Sequence, residues 1–211
     1  MPAKNNREYR SMMLNIEKRD DNIQDGQDES MIVSGYASTF EEPYTLYSGN
    51  YLTIREVIDR HAFDNTDMSD VIMQYDHQGR VMARNSNNTL EVRPDEKGLF
   101  IRADLGGTEL GRELYEEIRG GYTDKMSFGF TIDKEQETRT ELEDGKVDYL
   151  WRILSVSKLY DVSAVSIPAN DGTSIGVDTR SKIDGVIEMA RAERLNRAKL
   201  ELKKIILKKG N

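Results

Sequence analysis

The chain has 211 residues, enough for one domain with a closed hydrophobic core plus terminal extensions and too few for two full domains. It has no cysteine and only two histidines, His61 and His77, which excludes thiol catalysis and disulfide stapling and argues against a metal centre, and no Asp/Asn/Gly loop of calcium-binding spacing is present. A net charge of −8 opposes a general nucleic-acid binder, and no apolar run approaches the roughly 20 residues of a membrane span or forms a signal core, so a soluble, unexported protein suited to a reducing cytosol is expected.

Hydrophobic residues make up 37% and charged residues 32%, with mean hydropathy −0.68, which places solvated chain at the ends. Residues 1–30 are polar and charged except for a short apolar stretch at Met12–Ile16, predicting a single edge strand in a mobile arm. Met31–Phe40 alternates and is β-rich, predicting a strand with Gly35 as a bulge or close-approach point, followed by a loop over Glu41–Tyr51. Thr53–Phe63 has a mixed period that fits a strand followed by a helical turn, and the pattern alone does not separate the two. Val71–Tyr75 is a short apolar strand that delivers His77, and Gly79 turns the chain immediately afterwards. Leu90–Arg93 and Leu99–Ala103 flank a five-residue connection, Pro94–Gly98, and read as an antiparallel hairpin.

Thr108–Arg119 has the helical period, with Leu110, Leu114 and Ile118 recurring, Thr108 placed to cap the start and Gly120-Gly121 to end it. The strand that follows puts Met126, Phe128 and Phe130 on one face, so Lys125, Ser127 and Gly129 share the other. A solvated loop over Lys134–Lys146 separates this strand from two more, Val147–Leu154 and Lys158–Ile167, and in the latter Asp161, Ser163, Val165 and Ile167 share a face. From Arg180, apolar residues from Ile183 to Ile206 recur at helical spacing amid Lys, Arg and Glu, giving a long amphipathic helix whose last turns are basic. Arg180–Leu195 is expected to pack on the domain or on a second copy, with an exposed, interacting extension beyond it.

A serine hydroxyl is a weak nucleophile at neutral pH, so serine-type acyl transfer needs an imidazole to take its proton and a third group to hold that imidazole. His77, Ser127 and Asp161 supply a base, a hydroxyl and a carboxylate, each beside an apolar strand-like run and next to a turn or break. Sequence distance does not establish spatial proximity, and His77 also fits an exposed loop histidine. His61 is the other available imidazole, with a surface or half-buried turn histidine as its plainer reading. Lys125 lies two residues from Ser127 on the same face and would serve as a lysine base if desolvated; beside Asp124 it also fits a charged rim residue.

In this order, Val33-Ser34-Gly35-Tyr36-Ala37-Ser38-Thr39-Phe40, Glu56-Val57-Ile58-Asp59-Arg60-His61-Ala62-Phe63, the His77 strand, Met126-Ser127-Phe128-Gly129-Phe130 and Asp161-Val162-Ser163-Ala164-Val165 ending in Pro168-Ala169-Asn170 form a specific combination. Over roughly Ile32–Asn170 the chain resembles the prohead maturation proteases of tailed bacteriophages, whose fold is related to that of herpesvirus assembly proteases. The resemblance implies an α+β, mainly β fold: a closed or nearly closed, mostly antiparallel β-barrel flanked by helices, with the long C-terminal amphipathic helix. It divides the chain into a polar N-terminal arm with an edge strand (1–30), a prohead protease domain (31–178) and a C-terminal helical extension (179–211).

Carried over by position, the resemblance makes Ser127 the nucleophile, His77 the general base and acid, and Asp161 the group that orients the imidazole. Family members commonly have Glu where this chain has Asp161, Asn where it has Asp76 and Gly where it has His61. Asp76 is therefore a second candidate for the acidic partner, ranked lower because neighbours on a strand point to opposite faces. Herpesvirus relatives stabilise the oxyanion with an arginine pair, whereas this chain has Pro168-Ala169-Asn170-Asp171-Gly172 there, leaving backbone amides near Asn170–Gly172 as candidates. The implied activity is a cofactor-free serine endopeptidase that cleaves the scaffold segment of the major capsid protein, and itself, inside the procapsid in the host bacterial cytoplasm. The implied partners are that substrate and further copies of the chain, as a dimer or higher oligomer, without nucleic acid or membrane. The alternative is a non-catalytic capsid-assembly or scaffolding protein that keeps the fold; the missing acidic, coiled-coil-like C-terminal half and the presence of all three polar residues favour the enzyme.

Overall fold

Two long strands organise the chain in the computed structural model, which describes residues 7–13, 31–166 and 177–209. They are β9 (Lys125–Glu141) and β10 (Val147–Val165), paired antiparallel from Val147↔Glu141 at the hairpin end to Val165↔Lys125 at the other. The alternation in β9 is real: Met126, Phe128 and Phe130 are all fully buried in the main core. The polar stretch expected to be a solvated loop is the outer half of this ribbon. Its residues are exposed, but ladder hydrogen bonds need no apolar side chain, and β10 offers them a well-buried template. Likewise the two strands expected at Val147–Leu154 and Lys158–Ile167 are one, and the apparent break at Ser155–Ser157 is a series of register shifts that bend β10.

That bend lets β10 carry two parallel neighbours, β4 (Leu52–Ile58) beside its first half and β5 (Ile72–Tyr75) beside its second. β3 (Tyr44–Ser48) pairs antiparallel with β4, so the region expected as a loop contains a strand; its alternation is too short to stand out. β6 (Gln78–Arg84) pairs with β5, and β1 (Glu8–Met13) pairs with β9 as the edge strand expected in the arm, upstream of most of Met12–Ile16. Residues 14–16 lie outside the described residues. A second sheet runs β2 (Ile32–Thr39), β8 (Gly98–Asp104), β7 (Leu90–Pro94), the last two forming the expected hairpin. The irregularity in β2 falls between Tyr36 and Ser38, not at Gly35.

The architecture is thus α+β and mainly β, with most ladders antiparallel, but the barrel does not close. Among the described residues no ladder joins the seven-stranded sheet to the three-stranded one: β2 pairs with β8 on one edge and with no described strand on the other. The sheets meet through side chains instead: Val33, Ala37, Leu99 and Ile101 pack with Phe63, Phe128 and Phe130 in one core. α1 (Glu109–Arg119) is capped by Thr108, whose Oγ1 accepts from the Gly111 amide at 2.9 Å; it buries Leu114 and Ile118, Gly120 caps its end, and Gly121 beyond turns the chain at a φ of 74° that favours glycine. α2 (Val177–Lys209) buries Ile183, Val186 and Ala190 against Leu46, Leu52, Ile54, Tyr149 and Trp151, and its residues from Leu195 to Leu207 are exposed. Among the described residues no helix is long and apolar enough to cross a membrane.

Candidate active site

On β9, Ser127 lies on the face opposite Met126 and Phe128, and β10 lies alongside with Ser163 opposite Ser127 and Asp161 opposite Gly129. This register brings the Asp161 carboxylate beside the serine from 34 residues further along the chain. Gly129 is required for that approach: a Cβ there would sit 2.8 Å from Tyr9 Cε1 and closer still to Asp161 Oδ2.

His77 reaches the same place from the β5–β6 hairpin. Tyr75 pairs with Gln78, leaving Asp76 and His77 as the two central turn residues, with φ of 47° and 57°. Two successive left-handed residues match the twist of a two-residue hairpin, and Asp and His are among the non-glycine residues that tolerate this conformation. Asp76 ties the turn to β10: its amide donates to the Ala164 carbonyl at 2.9 Å, and its carboxylate accepts from the Ser166 amide at 3.0 Å and from the Ser166 hydroxyl. It is therefore engaged away from the imidazole.

The imidazole bridges the other two groups. Nδ1 lies 2.5 Å from Asp161 Oδ1, and Nε2 lies 2.7 Å from Ser127 Oγ. An ionised carboxylate only accepts, so Nδ1 carries the proton and Nε2 presents its lone pair to the serine hydroxyl. Asp161 is 2% exposed and Ser127 1%, while the His77 side chain keeps 18% of its surface. The arrangement is the one needed to move a proton from a hydroxyl to an imidazole whose developing charge is met by a buried carboxylate. Ser163, which shares a face with Asp161 in sequence, donates its hydroxyl to Asp161 Oδ1 at 2.9 Å. Losing that donor removes one of the two bonds that orient Oδ1, so Ser163→Ala should slow turnover about tenfold at unchanged KM, near the value of one hydrogen bond to a charged group, as measured by steady-state cleavage.

The other candidates lie elsewhere or are otherwise occupied. His61 is in the turn after β4, its ring 3.0 Å from Asp64 and its side chain 72% exposed. Lys125 Nζ lies 2.8 Å from Asp124 Oδ1, and its ammonium holds the Asp124 carboxyl below the usual range, the behaviour of a charged rim residue. Asn170–Gly172 lie outside the described residues. Among the described residues no three His, Asp or Glu side chains converge as metal ligands would. The same-face spacing of Asp161 and Ser163 was a usable signal for Ser163, whereas nothing in sequence pointed to Tyr9, whose ring lies 4.4 Å from that of His77.

A sequence model of a family described as caudovirus prohead serine protease matches residues 15–185, a span that contains His77, Ser127 and Asp161. Among solved structures the chain is similar to the bacteriophage T4 capsid assembly protease, gp21, at TM-score 0.41 and 12% identity, over 77% of this chain and 98% of that one. No curated protein matches the chain.

Proposed function

The chain belongs to the caudovirus prohead serine protease family, and from that premise we propose that it is a serine endopeptidase that cleaves the scaffold region of the major capsid protein, and itself, during procapsid maturation. The observation that supports this most is the His77 imidazole held between a buried carboxylate and a serine hydroxyl at 2.5 and 2.7 Å. Ser127 Oγ attacks the scissile carbonyl carbon as its proton passes to His77 Nε2, and Asp161 stabilises the imidazolium. His77 then returns that proton to the leaving amine, the C–N bond breaks, and an ester on Ser127 remains. Water, deprotonated by the same imidazole, hydrolyses the ester and restores the serine.

On this reading the enzyme acts inside the procapsid in the host cytoplasm, as a dimer or higher oligomer. Residues 1–30, 31–178 and 179–211 then serve as arm, protease domain and helical extension. Co-expression with the capsid protein, followed by intact-mass measurement of both chains, tests the proposal. Scaffold trimming and self-cleavage should occur with the wild type and vanish in Ser127→Ala and in His77→Ala while particles still assemble. Trimming that survives Ser127→Ala would sink the assignment, and assembly without any trimming would favour a scaffolding protein.

A further inference from the structure

Strand β1 is bonded to β9 from Glu8↔Phe130 to Met13↔Lys125, so it is the lateral neighbour of the strand that carries Ser127. Tyr9 lies directly across from Gly129 and shares its face, while Arg10 projects from the other. The Tyr9 ring packs against His77 with centroids 4.4 Å apart and planes tilted by 59°. It enters the space that a side chain at position 129 would fill, the same space that admits the Asp161 carboxylate.

His77 needs such a neighbour. Its bonds to Asp161 and Ser127 hold the two ring nitrogens, but the side chain stands at the tip of a two-residue turn and keeps 18% of its surface exposed, so other rotamers compete for it. Packing by Tyr9 adds to the constraint from the turn backbone and favours the rotamer that makes both bonds. Tyr9 is in turn held from both sides. Arg7 stacks its guanidinium 3.8 Å above the Tyr160 ring, and Arg10 is buried in bonds to Glu56 at 2.8 Å, Glu8 at 3.1 Å and Thr179 of α2 at 3.3 Å. A one-residue slip of β1 would exchange the faces of Tyr9 and Arg10, so this anchor also fixes register.

Building on the serine-protease reading, we propose that Tyr9 is a positioning residue for His77, which makes the N-terminal strand a working part of the active site. The ring holds the imidazole in the rotamer that bonds both partners and shields its bond to Asp161 from water; the phenolic hydroxyl takes no part.

The test uses the full chain and a peptide spanning the capsid-protein cut site mapped by mass. Tyr9→Leu and Tyr9→Met remove the flat face but keep bulk, and are read wherever the wild-type thermal transition is retained. Both should lower kcat about 10- to 100-fold with KM unchanged, because a base displaced by a fraction of an ångström loses its near-attack geometry. Tyr9→Phe should restore kcat to within about twofold, since packing resides in the ring. Labelling of Ser127 by a fluorophosphonate should follow kcat. The downfield NMR proton of the His77–Asp161 bond should be sharp in wild type and Tyr9→Phe and broadened in the aliphatic variants.

Wild-type kcat in an aliphatic variant, a gain in activity, an equal loss in Tyr9→Phe, or a KM rise at constant kcat would each overturn the proposal. If both aliphatic variants lose the thermal transition, a broadened proton in folded Tyr9→Phe overturns it and a sharp one supports it. Failure of the underlying reading looks different: the wild type itself resists the fluorophosphonate, and Ser127→Ala changes nothing.

Discussion

Asp161→Asn should lower turnover about 10⁴-fold, the size of loss this change produces in the Ser-His-Asp template, whereas Asp76→Asn should cost less than about tenfold, within the reach of one lost hydrogen bond. The two outcomes separate the candidates for the third member. Asp161 Oδ1 accepts from both His77 Nδ1 and Ser163 Oγ, so an asparagine has two ways to sit and both fail. With its amide toward His77, it pushes the proton onto Nε2 and leaves no lone pair for Ser127. With its oxygen toward His77, the tautomer survives but the imidazolium loses the negative charge that stabilises it. Asp76 makes its bonds to Ser166, so Asp76→Asn loosens the turn without touching the proton path. The check is single-turnover cleavage by each purified variant, with the thermal transition confirming that it is folded. A larger loss in Asp76→Asn would transfer the role.

Much of this site was legible because it rests on strand alternation. The faces of β9 and β10 follow from Met126, Phe128 and Phe130 on one strand and Asp161 and Ser163 on the other, and a period of two survives any later pairing. Asp161 is one methylene shorter than the Glu common at this position in the resembled family, and its pairing with side-chain-less Gly129 lets it sit 2.5 Å from the imidazole. What stayed hidden depends on partners remote in sequence. Residues 134–146 read as loop because exposed polar chain carries no periodic signal, yet β10 turns them into a ribbon. β3 is short and half-exposed, and its place is set by β4. Closure of the barrel came from the resemblance and depended on a pairing that β2 does not make. Tyr9 meets His77 because β1 pairs with β9 and Arg10 bonds Glu56 on the opposite face, and no local pattern encodes either contact.

Removal of that anchor is the second large effect. Arg10→Met should destabilise the protein by about 3–5 kcal/mol, the usual consequence of breaking a buried ion pair from one side. The Arg10 side chain is 2% exposed, Glu56 is 1% exposed, and Glu8 is also buried. Burial alone would lower the guanidinium's proton affinity, but the charge and hydrogen bonds of Glu56 more than offset this, and Arg10 stays cationic. Without it, two carboxylates share a dry site with the Tyr44 and Thr179 hydroxyls, which supply a hydrogen bond each and no charge. Burial, and then the Glu56 charge, holds the Tyr44 hydroxyl well above its usual ionisation range, so it remains a donor. Arg10→Met/Glu56→Leu should recover part of the loss, because Glu56 no longer demands solvation while buried Glu8 keeps, among the described residues, only the Thr179 hydroxyl as a donor. Denaturant unfolding of both single variants and the double variant measures the coupling, and a cost below about 1 kcal/mol for Arg10→Met would reduce the anchor to the worth of a surface pair. Arg10 and Tyr9 are adjacent on one strand, so an Arg10→Met chain that remains folded should lose cleavage more than its remaining stability accounts for, and Arg10→Met/Glu56→Leu should regain part of it.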